Sequence, residues 1–240
     1  MKVYKFGGAS IKDYKSVKRL ARIIRKHNHD EMVLIVSAMG KTTNSMEDFV
    51  LSYTKSFKNL KNKLELIKSF HKDIVKDLFQ KNQQSVLKII ESVFNEIDKF
   101  LKLNKENDYN FIYDQLVSYG EILSSVIISE YLNSIGLKSK WVDARSCIKT
   151  DQYYRDANVD FEKTSKSIKR KIKGKGLFIS QDGELWEKFG DPVDYMNQQI
   201  LSEVVFDAEV GVMFTKRFVI GNAVLACVQC SCVSSVQNAI

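Results

Sequence analysis

Four short stretches of this 240-residue chain hold residues whose types and spacing can do chemistry on an anion. The first is Lys5-Phe6-Gly7-Gly8-Ala9-Ser10, where a lysine precedes paired glycines at the end of an apolar run. Glycines let a backbone approach an anion closely, and a helix that follows presents unpaired N–H groups to it. The lysine adds a compact positive charge. These are parts phosphoryl transfer needs, because its transition state asks mainly for positioning and for neutralisation of charge on oxygen. A plain tight turn would use the same two glycines. The second stretch is Ser37-Ala38-Met39-Gly40-Lys41-Thr42-Thr43-Asn44. Its Gly40-Lys41-Thr42 invites a P-loop reading, but that motif requires a further glycine where Ile35 stands. What is left is a hydroxyl-rich turn suited to a carboxylate or a phosphate, in which Thr43 or Asn44 is also placed to cap a helix.

The third stretch, Leu116-Val117-Ser118-Tyr119-Gly120-Glu121, lies in an apolar run that reads as one helix. At that spacing Ser118 and Glu121 share a face, and Gly120 clears room for a close approach at a propensity cost of about 1 kcal/mol relative to alanine. A carboxylate beside Val117, Ile122 and Leu123 wants a cation, and a ligand ammonium would serve; a surface glutamate on an amphipathic helix is the plainer alternative. The fourth is Asp143-Ala144-Arg145, with Arg155-Asp156 further on. An arginine in a polar loop binds a carboxylate through two parallel hydrogen bonds, or pairs with a neighbour such as Asp156. His27, His29 and His71 sit in charged helical contexts and are expected to face solvent without a catalytic role. Cys227, Cys230 and Cys232 have metal-like spacing but no distant second ligand pair, so zinc is not expected and no metal ligands are assigned.

Elements that would position these residues are visible in the apolar periodicity. Val3–Phe6 reads as a strand, followed by a glycine turn and a helix marked by Tyr14, Val17, Leu20, Ala21 and Ile24, with Ser10 and Asp13 as its capping box. Met32–Val36 is a second strand, apolar throughout, as when both faces of a parallel sheet are covered. Residues 45–105 are helical, a further helix is expected from Asp114 to Leu132 ahead of Gly136, and Lys140–Asp143 and Gly176–Ser180 are strands. Lys163–Lys175 is a solvated helix or a connection, and Val219–Val233 is an apolar, cysteine-bearing tail. Alternation of strands and helices predicts an α/β fold, a three-layer αβα sandwich on a mostly parallel sheet, with ligands beyond the carboxyl ends of the strands.

The composition narrows the function classes. A net charge of +8 arises from lysines interleaved with apolar and acidic residues rather than from a segregated basic stripe, which argues against nucleic acid as a partner. A mildly positive protein suits anionic small molecules. No run approaches a membrane-spanning length, so no membrane partner is expected and the chain reads as cytoplasmic, and four cysteines read as reduced thiols.

The four motifs, in this order, resemble the aspartate kinases of the amino-acid kinase superfamily. That family opens with Lys-Phe-Gly-Gly-Thr-Ser, matched by Lys5 to Ser10 with Ala9 in place of the threonine. Its Val-Ser-Ala-Met-Gly turn is matched by Val36 to Gly40, its Ser-x-Gly-Glu by Ser118 to Glu121, and its arginine loops by Asp143 to Arg145 and Arg155 to Asp160. The resemblance implies phosphorylation of the aspartate side-chain carboxylate by ATP, with Mg2+ carried on the nucleotide, as the first step toward lysine, threonine and methionine. It implies Lys5 on the transferred phosphoryl group as the catalytic residue, and Gly7, Gly8 and Ser10 at the phosphates. Ser37 and Thr43 would bind aspartate, Glu121 its ammonium and Arg155 its α-carboxylate. It also admits a homo-oligomer.

The resemblance covers residues 1–181, expected to form the aspartate-binding part of an amino-acid kinase domain. The family's Gly-Gly-Ser-Asp-Tyr helix start, the nucleotide-holding strands that follow it, and an ACT domain are not recognisable in residues 182–240. Two alternatives to the kinase follow: a remnant that binds the amino acid without a nucleotide site, and an enzyme of the same superfamily acting on another acidic amino acid.

Overall fold

The computed structural model describes residues 2–27, 31–55, 59–155 and 157–181, with the strand backbones of 205–207, 212–220 and 223–229. His29, Asp156, Cys230 and Cys232 lie outside the described residues. A seven-stranded sheet runs in the order β3-β4-β2-β1-β7-β6-β5. Its strands are β1 (Lys2–Phe6), β2 (Glu31–Val36), β3 (Ser139–Trp141), β4 (Gly176–Gln181), β5 (Val205–Asp207), β6 (Val212–Ile220) and β7 (Ala223–Gln229). The stretch from β3 to β7 is parallel throughout; only β6 runs against both its neighbours. The expected α/β architecture on a mostly parallel sheet is therefore what forms.

Strand alternation divides the apolar residues between two faces. Tyr4, Phe6, Met32, Leu34, Val36, Leu177 and Ile179 join the main core beneath most of the helices. Val3, Val33 and Phe178 face the other way, where Ile168 and Ile172 cover them. The helices of the first face are α1 (Tyr14–Lys26), α2 (Thr42–Lys55), α3 (Leu60–Leu78), α4 (Gln83–Leu103), α5 (Tyr109–Val117) and α6 (Tyr119–Ser134); α7 (Phe161–Lys171) lies on the second. α6 is buried on nearly every side, as an apolar helix without a polar stripe must be. It packs on β2, β3 and β4 and against α2, α3, α4 and α5, and so forms the centre of the helical layer.

Register decides where the site can be. Phe6 lies opposite Val36, and Val36 opposite Gln181, so β1, β2 and β4 end level and their following loops emerge side by side.

Several sequence expectations are corrected. α1 is capped by Asp13, whose carboxylate accepts from Ser16 N–H at 2.7 Å, and not by a Ser10–Asp13 box, because residues 8–11 form a separate 3-10 turn. The helical stretch 45–105 is three helices, broken where Asn59 and Asn82 take left-handed φ of 56° and 61°, a conformation open to asparagine at low cost. The expected Asp114–Leu132 helix is two, α5 and α6, parted at Ser118. Lys163–Lys175 resolves into α7 and a turn, with Asp160 as its cap. His71 does not face solvent: it is fully buried in α3, its Nδ1 paired with the Ile67 carbonyl at 2.8 Å and its Nε2 without a hydrogen-bond partner among the described residues.

Candidate functional site

The glycine bend after β1 and the turn after β2 are held together by backbone. Ser37 N–H donates to the Phe6 carbonyl and Gly40 N–H to the Gly8 carbonyl, each at 3.1 Å. A Cβ on Gly8 would stand 2.6 Å from the Ala38 carbonyl oxygen, closer than any side-chain carbon can come, so this position requires glycine. At Gly7 the same added atom meets nothing within 4 Å. One glycine thus serves packing and its neighbour borders open space. Ser10 N–H closes the bend on the Gly7 carbonyl at 2.9 Å, and Ser10 Oγ is buried with no partner among the described residues. An open flank and an orphaned hydroxyl on one bend fit an oxygen-rich group such as a phosphate.

α6 brings the acidic residue to the same place. A Cβ on Gly120 would lie 3.0 Å from Thr42 Cγ2 and 3.2 Å from Ala38 Cβ, so the first turn of α6 rests directly on the β2–α2 turn. The sequence suggested that Gly120 makes room for a ligand; it makes room for the protein's own turn. Ser124, fully buried one turn along α6, donates to the Ser37 carbonyl at 2.7 Å. Glu121, in that first turn and half-buried, therefore stands beside Ser37, with Thr43 in the first turn of α2. Thr42 Oγ1 donates back to the Met39 carbonyl at 2.6 Å and secures the turn from within.

Lys5 is half-buried and alternates with Phe6, so it leaves β1 on the face of Val3, opposite the helical layer that carries Glu121. Arg155 is exposed and has a left-handed φ of 58°. Its N–H donates to Asp114 Oδ2 at 2.7 Å and its guanidinium lies 4.2 Å from the Tyr113 ring centroid, so α5 holds it. Gly7, Gly8, Ser10, Ser37, Thr43 and Glu121 thus belong to loops and helix starts in direct contact, whereas Arg155 joins them only through α5 and Lys5 from the other sheet face. Between α2 and α3 an open cavity of about 260 Å³, bordered by Lys41, Thr42, Ser45, Asp48, Lys63 and Phe70, contains none of these residues.

Three further residues escaped the sequence reading. Gln181, at the end of β4, accepts from Ala144 N–H at 2.8 Å and donates to Asp143 Oδ1 at 3.2 Å, fixing the Asp143–Arg145 loop. Asp143 in turn grips Arg145, whose guanidinium reaches 5.7 Å from the ring of Tyr119, the first residue of α6. Burial raises the Asp143 carboxyl, but the hydrogen bonds from Arg145 outweigh it and leave the group below its ordinary value. Burial, assisted by the Glu96 carboxylate, pushes the Tyr119 hydroxyl above its ordinary value. Ser124 is the third; the serine pair inside the otherwise apolar Ile122–Ile128 run was the available signal.

Comparisons with known proteins bear on the family and the fold. The amino acid kinase family matches residues 1–179. Aspartokinase 1, chloroplastic, of Arabidopsis thaliana is 34% identical over 145 residues, covering 59% of this chain and 25% of its own length. Bifunctional aspartokinase/homoserine dehydrogenase 2 of Escherichia coli strain K12 is 26% identical over 151 residues, covering 62% and 18%. The chain thus spans a quarter or less of these two relatives. The fold is similar to that of E. coli aspartokinase III, with a TM-score of 0.66 to its complex with lysine and aspartate, at 21% identity, over 75% of this chain and 40% of that one. For the complex of the same enzyme with aspartate and ADP the TM-score is 0.61, at 20% identity and the same coverage of both chains. With the family matched over residues 1–179, from β1 into β4, the chain belongs to the amino acid kinase family.

Proposed function

We propose that the cluster of turns at the carboxyl edge of β1 and β2 binds aspartate and the phosphates of ATP, and that the chain carries out, in the cytoplasm, phosphoryl transfer to the aspartate side-chain carboxylate. The observation that carries this reading is the mutual contact of the three motif segments, through Gly8 on Ala38 and Gly120 on Thr42. A carboxylate is already ionised near neutral pH, so it attacks without a general base, and the protein's task is placement and charge neutralisation. The attacking carboxylate oxygen forms a bond to the γ-phosphorus as the bond to the β–γ bridging oxygen breaks, and ADP leaves with that electron pair. Glu121 suits the ammonium of the amino acid, Ser37 and Thr43 its polar atoms, and Arg155 its α-carboxylate after leaving the Tyr113 ring. Lys5 and the N–H groups about Gly7 and Gly8 suit the phosphates. Mg2+ carried on the nucleotide would neutralise phosphate oxygens during transfer.

The reading is supported by the ligands of a solved relative of similar fold: E. coli aspartokinase III was solved with aspartate and ADP. The test is incubation of the full chain with Mg-ATP, aspartate and hydroxylamine. Aspartyl hydroxamate that depends on both substrates is expected; none from folded protein would remove the catalytic claim. A second reading, a remnant that binds aspartate without a nucleotide site, is favoured by the missing Gly-Gly-Ser-Asp-Tyr signature in residues 182–240. Calorimetric titration with Mg-ATP separates the two, since tight binding rules out the second.

A further inference from the structure

Resting on the reading above, we infer that Ser124 is a positioning residue for the amino-acid substrate, tying Ser37 and Glu121 into one rigid unit. Ser37 is pinned at both ends of its peptide group. Its N–H donates to the Phe6 carbonyl at the tip of β1. Its own carbonyl accepts from Ser124 Oγ at 2.7 Å, across 87 residues of chain. The Ser124 hydroxyl also lies 3.0 Å from the Glu121 carbonyl, one turn back on α6, but a hydroxyl has one proton and the shorter contact takes it. A single side chain therefore couples the strand tip beside Gly7, the Ser37 turn and the helix turn that bears Glu121.

This link differs from ordinary helix back-bonding. Ser125, also fully buried, donates to the Ile122 carbonyl at 3.0 Å within its own helix and accepts from Trp141 Nε1 at 2.9 Å, on the side of β3. Neither of these bonds reaches the Ser37 turn. The two neighbouring serines are thus a matched pair, equal in burial and chemistry, of which only Ser124 reaches the candidate site. Loss of its hydroxyl leaves the Ser37 carbonyl without that donor and frees the turn to shift relative to Glu121. In a reaction that depends on placement, such a shift acts on the bound amino acid and not on the nucleotide.

The test is a comparison of Ser124→Ala and Ser125→Ala in the full chain, by calorimetry with aspartate and with Mg-ATP and by the hydroxamate assay. Ser124→Ala is expected to weaken aspartate binding and raise its KM about tenfold, the effect of one buried hydrogen bond on a charged or polar partner, with ATP affinity within about twofold of wild type. Ser125→Ala is expected to lower Tm comparably while leaving aspartate affinity unchanged. If Ser124→Ala does not fold, Ser124→Cys, with a weaker donor, is expected to show the same selective loss in part. Equal aspartate affinities in wild type and the Ser124 variants, or an equal loss in Ser125→Ala, would overturn the inference alone. A wild-type protein that binds no aspartate would overturn the functional reading and this inference with it.

Discussion

Gly8 is the residue on which the arrangement of turns most depends. Gly8→Ala would set a methyl against the Ala38 carbonyl, where 2.6 Å is available, and the β2–α2 turn would have to move. Overpacking of this kind costs about 1–3 kcal/mol, and the expected outcome is that loss in chemical denaturation together with weakened aspartate binding. His71 gives a second residue-scale prediction. Burial holds its imidazole pKa at about 4, against an ordinary value of 6.5. The unfolded chain therefore binds a proton that the fold refuses, so the contribution is complete above about pH 6.5 and is lost as pH falls toward 4. The difference amounts to about 3 kcal/mol. Tm measured between pH 7 and 4.5 should fall in the wild type and fall much less in His71→Leu; parallel curves would contradict this. Asp13, Glu91 and Asp143 have carboxyls held below their ordinary values, so their contributions are lost at lower pH than that window. At this scale the sequence marked Gly7, Gly8 and Glu121 as candidates by residue type, and the structure brings their segments together. The sequence misplaced His71, because charged neighbours along a helix do not report which side of it faces a core.

Element boundaries depend on single polar residues. Asp13 caps α1 through Ser16 N–H, so Asp13→Ala should cost about 1 kcal/mol, read as a lower denaturation midpoint at unchanged slope, with aspartate affinity retained. Unchanged stability would show that the cap contributes nothing. β1, β2, β4 and α1 were legible from apolar periodicity, since these strands are buried on both faces and α1 carries one clear stripe; β5, β6 and β7 were not, the tail being read only as apolar. The break at Ser118 was not, because α5 and α6 are both apolar and the nearest glycine, Gly120, lies inside α6 rather than at the junction. In the proposed site, that break ends α5 beside Tyr113 and Arg155 and starts a fresh helix whose first turn bears Glu121. The breaks at Asn59 and Asn82 had a signal, asparagine's tolerance of positive φ, but asparagines are common enough in this chain that spacing alone does not select those two.

Across the whole molecule, the sheet supplies a common edge and the two faces supply different groups to it. Glu121 and Ser124 come from the helical layer, Lys5 from the face covered by α7. Such an edge lets an acceptor and a phosphate donor be held by separate elements, as expected for ligands at the carboxyl ends of parallel strands. Level strand ends, not any one motif, bring residues far apart in sequence together, which is why the separate motifs were legible and their contacts were not. The central claim, that the Ser37 turn and the first turn of α6 form one amino-acid site, is tested most directly by titrating aspartate into the wild-type chain and into Glu121→Ala. A loss of about thirtyfold or more in affinity, with unchanged circular dichroism, is predicted from removing one partner of a partly buried charge pair; equal affinities would contradict the account.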